Sequence, residues 1–257
     1  RFDLKYIYIS FEEIKNEQII ILNENRYLGI DLNPDTIGIS ILDNGNIIHT
    51  QEFSLKPIFN KILNEKLSSN SDRMKYFQNK LKFETFEISK SITKLAKKFN
   101  CKSVFIEDLH FKGSSIIKIS NRKNKNLWKR ELFINNITKR LNIEGIKLYS
   151  INPAYSSFIG NMMYEFTDAI NASIEIARRG FEYRVKKNNA GFYPSLLVKH
   201  QWKEMAIKYT DWKKFFIEIK NLKLKYRVSL EDCKKLFNVF QQNSTSKSMV
   251  LNYVFYD

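Results

Sequence analysis

Cysteine is scarce in this chain of 257 residues: Cys101 and Cys233 are the only two, and neither has a CxxC neighbour. A disulfide framework and a thiolate zinc site are therefore not expected. The histidines, His49, His110 and His200, show no ligand spacing either. With 8 Gly and 4 Pro the chain is too poor in both for a collagen-like or low-complexity class. It holds no apolar run of about 18 residues, so no membrane span is expected. Two free thiols and no signal-peptide pattern suit a reducing cytoplasm. The chain opens at Arg1 rather than Met, which reads as a processed, truncated or excised part of a longer protein. Acid is the other shortage, with 27 Asp+Glu against 43 Lys+Arg and a net charge of +16. Such an excess favours a polyanionic partner, nucleic acid before an anionic membrane. The competing explanation is codon bias in an AT-rich genome, which the many Ile, Lys and Asn also fit.

What is present is apolar enough to fold. Hydrophobic residues make up 43% and aromatics 14%, which excludes global disorder. Residues 4–9 and 17–22 read as short strands preceding the main domain. Tyr27–Ile30 and Thr36–Leu42 read as buried strands, and Ile47–Phe53 as a third. Asp43-Asn44-Gly45-Asn46 supplies the hairpin turn, since Asn-Gly accepts the positive φ angles it needs. Lys61–Ser71 reads as a polar linker. Ser71 then caps a long helix over 72–99, where Met74, Phe77, Leu81, Ile88, Ile92, Leu95 and Phe99 recur at helical spacing. Cys101–Leu109 is a fourth strand, 112–130 a basic mobile loop, Asn126–Leu141 a helix and Ile146–Ile151 a fifth strand. Thr167–Gly180 is a helix with Gly180 as its C-cap. Leu197–Tyr209 and Trp212–Asn221 are further helices. The expected fold is α/β: one mixed sheet, three antiparallel strands followed by parallel ones, flanked by helices. The expected division is 1–25, 26–185 and a helical extension over 186–257.

Three acids stand out against this frame. Asp31 ends the apolar run Leu28-Gly29-Ile30, and Glu107 ends Val104-Phe105-Ile106. An acid inside a buried strand is costly unless it is paired or bound to a metal. Asp168 lies at the start of a core helix, where it also complements the helix dipole. Carboxylates gathered without a nearby base repel one another, and a divalent cation is the usual relief.

These segments carry a resemblance. Tyr27-Leu28-Gly29-Ile30-Asp31-Leu32-Asn33, Val104-Phe105-Ile106-Glu107-Asp108-Leu109 and the helix Asp168–Gly180 are similar to the three split motifs of RuvC nuclease domains, of the RNase H-like superfamily. The nearer match is the transposon-encoded TnpB (OrfB) group, relatives of compact RNA-guided CRISPR nucleases. Asn152-Pro153-Ala154-Tyr155-Ser156-Ser157 resembles that group's stretch after the fifth strand. The resemblance covers about 26–185. It implies an RNase H-like fold with Asp31, Glu107 and Asp168 as catalytic, metal-binding acids. It also implies two Mg²⁺ ions (with Mn²⁺ able to substitute), a DNA substrate, a guide RNA and a bacterial cytoplasmic setting. The group's two Cys pairs are absent, Gly160-Asn161-Met162-Met163-Tyr164 standing in their place, so no zinc is expected. Lys118, Arg122, Lys123, Lys125, Lys129, Arg130, Arg178 and Arg179 are candidate nucleic-acid contacts. Tyr155 is a candidate base-stacking ring, as are Trp128 and Phe133, for which helix packing is the simpler role.

Four functions fit these features to different degrees. A metal-dependent endonuclease cutting phosphodiester bonds ranks first, because all three acids are present. A non-catalytic, RNA-guided DNA-binding repressor ranks second. An actin-like or sugar-kinase ATPase shares the opening Gly-Ile-Asp-Leu but lacks its phosphate loop, Asn33-Pro34-Asp35 being a poor cradle. A Holliday-junction resolvase shares the chemistry, although the extended C-terminal part does not suit it.

Overall fold

A computed structural model describes residues 22–67, 71–108, 130–185, 208–209 and 211–222. The basic loop expected over 112–130, the strands expected at 4–9 and 17–22 and the helix expected over 197–209 fall wholly or mostly outside them. Five strands form one sheet: β1 (Asn23–Leu32), β2 (Thr36–Asp43), β3 (Asn46–Ser54), β4 (Cys101–Glu107) and β5 (Lys147–Ile151), in the order β3-β2-β1-β4-β5. β1, β2 and β3 pair antiparallel, while β4 pairs parallel with both β1 and β5. This is the mixed α/β sheet expected from the sequence. The β2–β3 turn is built as the Asn-Gly pair demands, with φ of 50° at Asn44 and 88° at Gly45.

Strand alternation sorts the side chains into two layers. Leu28, Ile30, Leu32, Ile37, Ile39, Ile41, Val104 and Ile106 face one way, into a core closed by three helices. These are α1 (Lys56–Leu67), α2 (Ser71–Lys98) and α3 (Arg130–Ile143). They contribute Phe59 and Ile62, then Leu81, Ile88, Ile92 and Ala96, then Phe133, Ile137 and Leu141. The polar linker expected over 61–71 is corrected here: 61–67 belong to α1. Leu55, Phe59 and Ile62 recur at helical spacing and are buried, and Pro57 sits in the first turn, where its missing N–H does no harm. Phe133 is fully buried in this core, so it packs rather than stacks on bases.

The other sheet face carries Tyr27, Gly29, Asp31, Gly38, Phe105 and Glu107, and α5 (Asp168–Val185) covers it. Before α5 comes α4 (Ser156–Met163), a helix the sequence reading did not assign. On α4 rests α6 (Trp212–Asn221), through Phe158, Ile159, Met162, Trp212, Phe215 and Ile219. No helix among the described residues is long and apolar enough to cross a membrane.

α5 lies unusually close to the sheet. A Cβ on Gly29 would stand 2.1 Å from the Ser173 carbonyl oxygen, and one on Gly38 2.2 Å from that of Ala169. Gly180 is not a C-cap as expected but an interior residue of α5, where a Cβ would meet the Phe105 ring at 2.1 Å. The missing side chains at these three positions let α5 descend until backbone meets backbone.

Gly29→Ala should therefore force α5 off the sheet and lower the melting temperature by about 5–10 °C. Gly45→Ala, whose added Cβ meets nothing within 4 Å, should lower it by only about 2–4 °C through backbone strain. Thermal unfolding followed by circular dichroism checks the contrast. Equal melting of Gly29→Ala and wild type would remove the close seating.

Candidate functional site at the sheet edge

β1 and β4 run in the same direction, and Ile30 pairs with Ile106. Asp31 and Glu107 are each the next residue, so the two acids end adjacent strands side by side. Both are nearly enclosed, with exposures of 3% and 5%. Across β1 the partner of Asp31 is Gly38, and Ala169 of α5 sits directly on Gly38. Asp168, the first residue of α5, is thereby delivered to the same face at the same edge. One row further on, Glu52 pairs with Gly38 and accepts a short hydrogen bond from the Thr167 hydroxyl. That bond ties the entry to α5 onto β3.

Each carboxylate accepts from a neutral local donor. Asn33 Nδ2 donates to Asp31 Oδ2 at 2.6 Å. The Leu32 amide donates to Glu107 Oε1 at 3.2 Å. Asn161 Nδ2 donates to Asp168 Oδ1 at 2.5 Å and to the Ser157 carbonyl at 2.6 Å. Asn161 is itself held by Asn171 Nδ2, which donates to its Oδ1 at 3.0 Å. Asn171 also accepts from the Phe166 amide and donates to the Phe166 carbonyl, closing the turn into α5. Both asparagines are buried, at 7% and 1% exposure. Neither was singled out as a site residue from sequence. The available signal was an amide inside an apolar run, Ile159-Gly160-Asn161-Met162 and Ile170-Asn171-Ala172, because a buried amide needs partners.

Burial dominates the electrostatics of Glu107. It pushes this carboxyl up from an ordinary 4.5 to about 7, against the lowering effects of the Leu32 amide and the Arg130 guanidinium. Arg130 opens α3 and donates from Nη2 to the Glu107 carbonyl at 2.7 Å, while its buried Nε has no partner among the described residues. The arginine expected to meet nucleic acid thus stands beside one of the three acids.

Other expected contacts sit elsewhere. Arg178 and Arg179 are only 12% and 9% exposed and clasp the fully buried Glu175 at 2.6–2.9 Å. Arg178 also reaches Glu182 at 2.9 Å, and Arg179 the Asn152 carbonyl at 2.9 Å. Their place on a nucleic-acid surface is corrected to a buried ion-pair network that ties α5 to the chain after β5. Tyr155 precedes α4 with φ of 62° and packs against Phe216 at 5.3 Å. Lys118, Arg122, Lys123, Lys125, Lys129 and Trp128 lie outside the described residues.

The donor set at the edge is oxygen-rich and hard, the chemistry of Mg²⁺ or Mn²⁺. The carboxylates are not yet gathered, however. Among the described residues no group of three His, Cys, Asp or Glu side chains is placed to hold a metal ion. The three acids share an edge and a face, each turned to its own donor.

No known family profile and no curated protein matches the chain. Several solved structures are similar in fold. RuvC of T. thermophilus in complex with Holliday junction substrate overlaps at a TM-score of 0.40 and 9% identity, over 62% of this chain and 95% of that one. The Cas12f1-sgRNA-target DNA complex gives 0.47 and 14%, over 62% of this chain and 51% of that one. The chain thus spans about half the length of Cas12f1. The Ppx/GppA phosphatase of Aquifex aeolicus gives 0.30 and 12%, over 53% and 40%. These overlaps are partial and at low identity, so the site's own residues must carry the chemistry.

The raised Glu107 pKa has a sign that can be tested. The folded protein keeps this proton up to pH about 7, whereas an unfolded chain releases it near 4.5. The stabilisation from the protonated carboxyl is present below about pH 4.5 and is lost as pH rises through 7. Metal-free wild type should lose about 1–3 kcal/mol between pH 5 and 8 from this group, and Glu107→Gln should not. Urea unfolding in chelator at the two pH values measures it, and identical pH dependence in both proteins would rule it out.

Proposed function

We propose that the chain carries a metal-dependent endonuclease site that hydrolyses DNA phosphodiester bonds. One observation carries this reading: acids from β1, β4 and α5 stand on one face at one sheet edge, two of them enclosed. Enclosed carboxylates at adjacent strand ends are costly for a purely structural role. Asp31, Glu107 and Asp168 would hold the Mg²⁺, which when bound supplies water activation and neutralises developing charge on the phosphate.

The chain's own residues supply the rest. Glu107 must give up its proton to serve as a ligand, and its pKa of about 7 sets where that happens. Asn33 and the Asn161–Asn171 pair hold Asp31 and Asp168 in place. Arg130, whose Nη2 donates to the Glu107 carbonyl, brings a positive charge to the edge where a backbone phosphate would lie. The basic residues Lys118, Arg122, Lys123, Lys125 and Lys129 hold further phosphates without reading sequence. RNA guidance and a transposon origin rest on the motif resemblance alone. The partners named for the similar structures, Holliday junction DNA and target DNA with sgRNA, are the partner classes this reading expects.

Asp31→Asn should abolish Mg²⁺-dependent cleavage and leave DNA affinity within a few-fold of wild type, because a ligand is lost and no phosphate contact is. The assay is gel-resolved cleavage beside anisotropy binding, using the chain with any RNA that co-purifies. Equal cleavage by both proteins would refute the assignment. Tight binding without cleavage by either would favour the non-catalytic repressor. Affinity should also fall about 10³–10⁵-fold between 50 and 200 mM salt if 6–10 phosphates are neutralised.

A further inference from the structure

α2 is longer than the strand it covers. Its 28 residues span about 42 Å at 1.5 Å each, and the seven of β4 span about 23 Å. Only Phe99 and Asn100 separate the two, with Asn100 turning the chain at φ 54°, so β4 runs back beneath α2. About 15 residues of α2 match the length of β4. The first part of α2, up to about Phe83, therefore extends past the edge where Glu107 stands. α1 agrees independently. It leaves β3 at that same edge, and its Lys61 lies over the Phe77 ring at 5.6 Å while Glu65 meets Arg73 at 3.4 Å. The two helices form an antiparallel hairpin that projects beyond the acids.

Its outer surface is unlike an ordinary solvated helix. Tyr76 and Phe83 are 63% and 60% exposed, the two most exposed large hydrophobic side chains among the described residues. Arg73, Tyr76, Lys80 and Phe83 recur at i, i+3, i+7 and i+10 along one side of the helix, turned away from the side that buries Ile92 and Ala96. The two rings lie about 10 Å apart along the axis, with Lys80 between them; Tyr76 sits edge-on to Phe77 at 5.2 Å, and Arg73, paired to Glu65, precedes it.

We propose that this stripe is a stacking rail for unpaired bases of a nucleic-acid strand leading to the acidic edge. The proposal rests on the nuclease reading for the destination of the strand, not for the binding itself. Aromatic faces accept any base without selecting sequence, and the interleaved cations meet the backbone. Lys80 between the rings, on a chain of net charge +16, matches a polyanion rather than an apolar protein surface, and Glu87, paired to Lys90, bounds the stripe one turn beyond Phe83.

The test uses the full chain and a fluorescein-labelled oligo-dT, read by anisotropy, with duplex DNA in parallel. Tyr76→Ala and Phe83→Ala should each weaken oligo-dT binding about fivefold or more, and duplex binding much less. Phe83→Trp should restore or improve it. Both side chains are exposed, so melting temperatures should match wild type. Lys80→Ala should lower the salt slope by about one, whereas the ring variants leave it unchanged. Unchanged oligo-dT affinity in the double ring variant would overturn the rail and leave the cleavage reading intact. Ring-dependent binding by a protein that never cleaves would keep the rail and sink the cleavage reading. A change of oligomeric state in the double variant, with unchanged affinity, would assign the stripe to a protein partner instead.

Discussion

The contact on which the site depends is backbone against backbone. α5 rests on β1 and β2 where Gly29 and Gly38 offer no side chain, and Phe105 fits beneath Gly180. Any Cβ at these positions would lift the helix, and the packed interior has no slack to absorb the shift. Because Ala169 is pinned on Gly38, and Gly38 is the register partner of Asp31, the start of α5 has little freedom. The acid there is positioned by steric contact well away from its own carboxylate. The Thr167–Glu52 bond and the Asn161–Asn171 pair then fix the approach from either side.

That seating creates the electrostatic problem that the proposed chemistry would use. Enclosure at the end of β4 penalises the ionised form of Glu107. Burial holds Glu107 protonated up to about pH 7, and each of the three carboxylates takes a neutral amide partner. An arrangement of this kind is poised to exchange a proton for a metal ion. The buried Glu175, clasped by Arg178 and Arg179, shows the other solution to an enclosed acid, permanent ion pairing. The contrast separates a structural acid on α5 from the candidate site acids that end β1 and β4.

Much of this was legible in the sequence because period-2 and period-3.6 patterns act locally. The hairpin at Asn44-Gly45, the strands that end in Asp31 and Glu107 and the helix that begins near Asp168 all follow from neighbouring residues. What was not legible depended on distant partners. Gly180 has the look of a helix stop, and only Phe105 across the sheet makes it an interior residue. Arg178 and Arg179 look like surface cations until Glu175, one turn away, is known to be buried. Residues 61–67 look like a polar linker because the apolar side chains that make them helical, Leu55, Phe59 and Ile62, lie mostly upstream. Asn161 and Asn171 reveal nothing alone, since a buried amide declares its role only when its partner is seen.

The central claim is that three carboxylates, two brought together by the β1–β4 pairing and the third by the seating of α5, form one cation site. Mn²⁺ binding to the full chain, followed by electron paramagnetic resonance of the free ion, tests it directly. The account predicts saturable binding that strengthens as pH rises through about 7 and weakens sharply in each of Asp31→Asn, Glu107→Gln and Asp168→Asn. Binding that Asp168→Asn leaves untouched, or that shows no dependence on pH between 6 and 8, would contradict it.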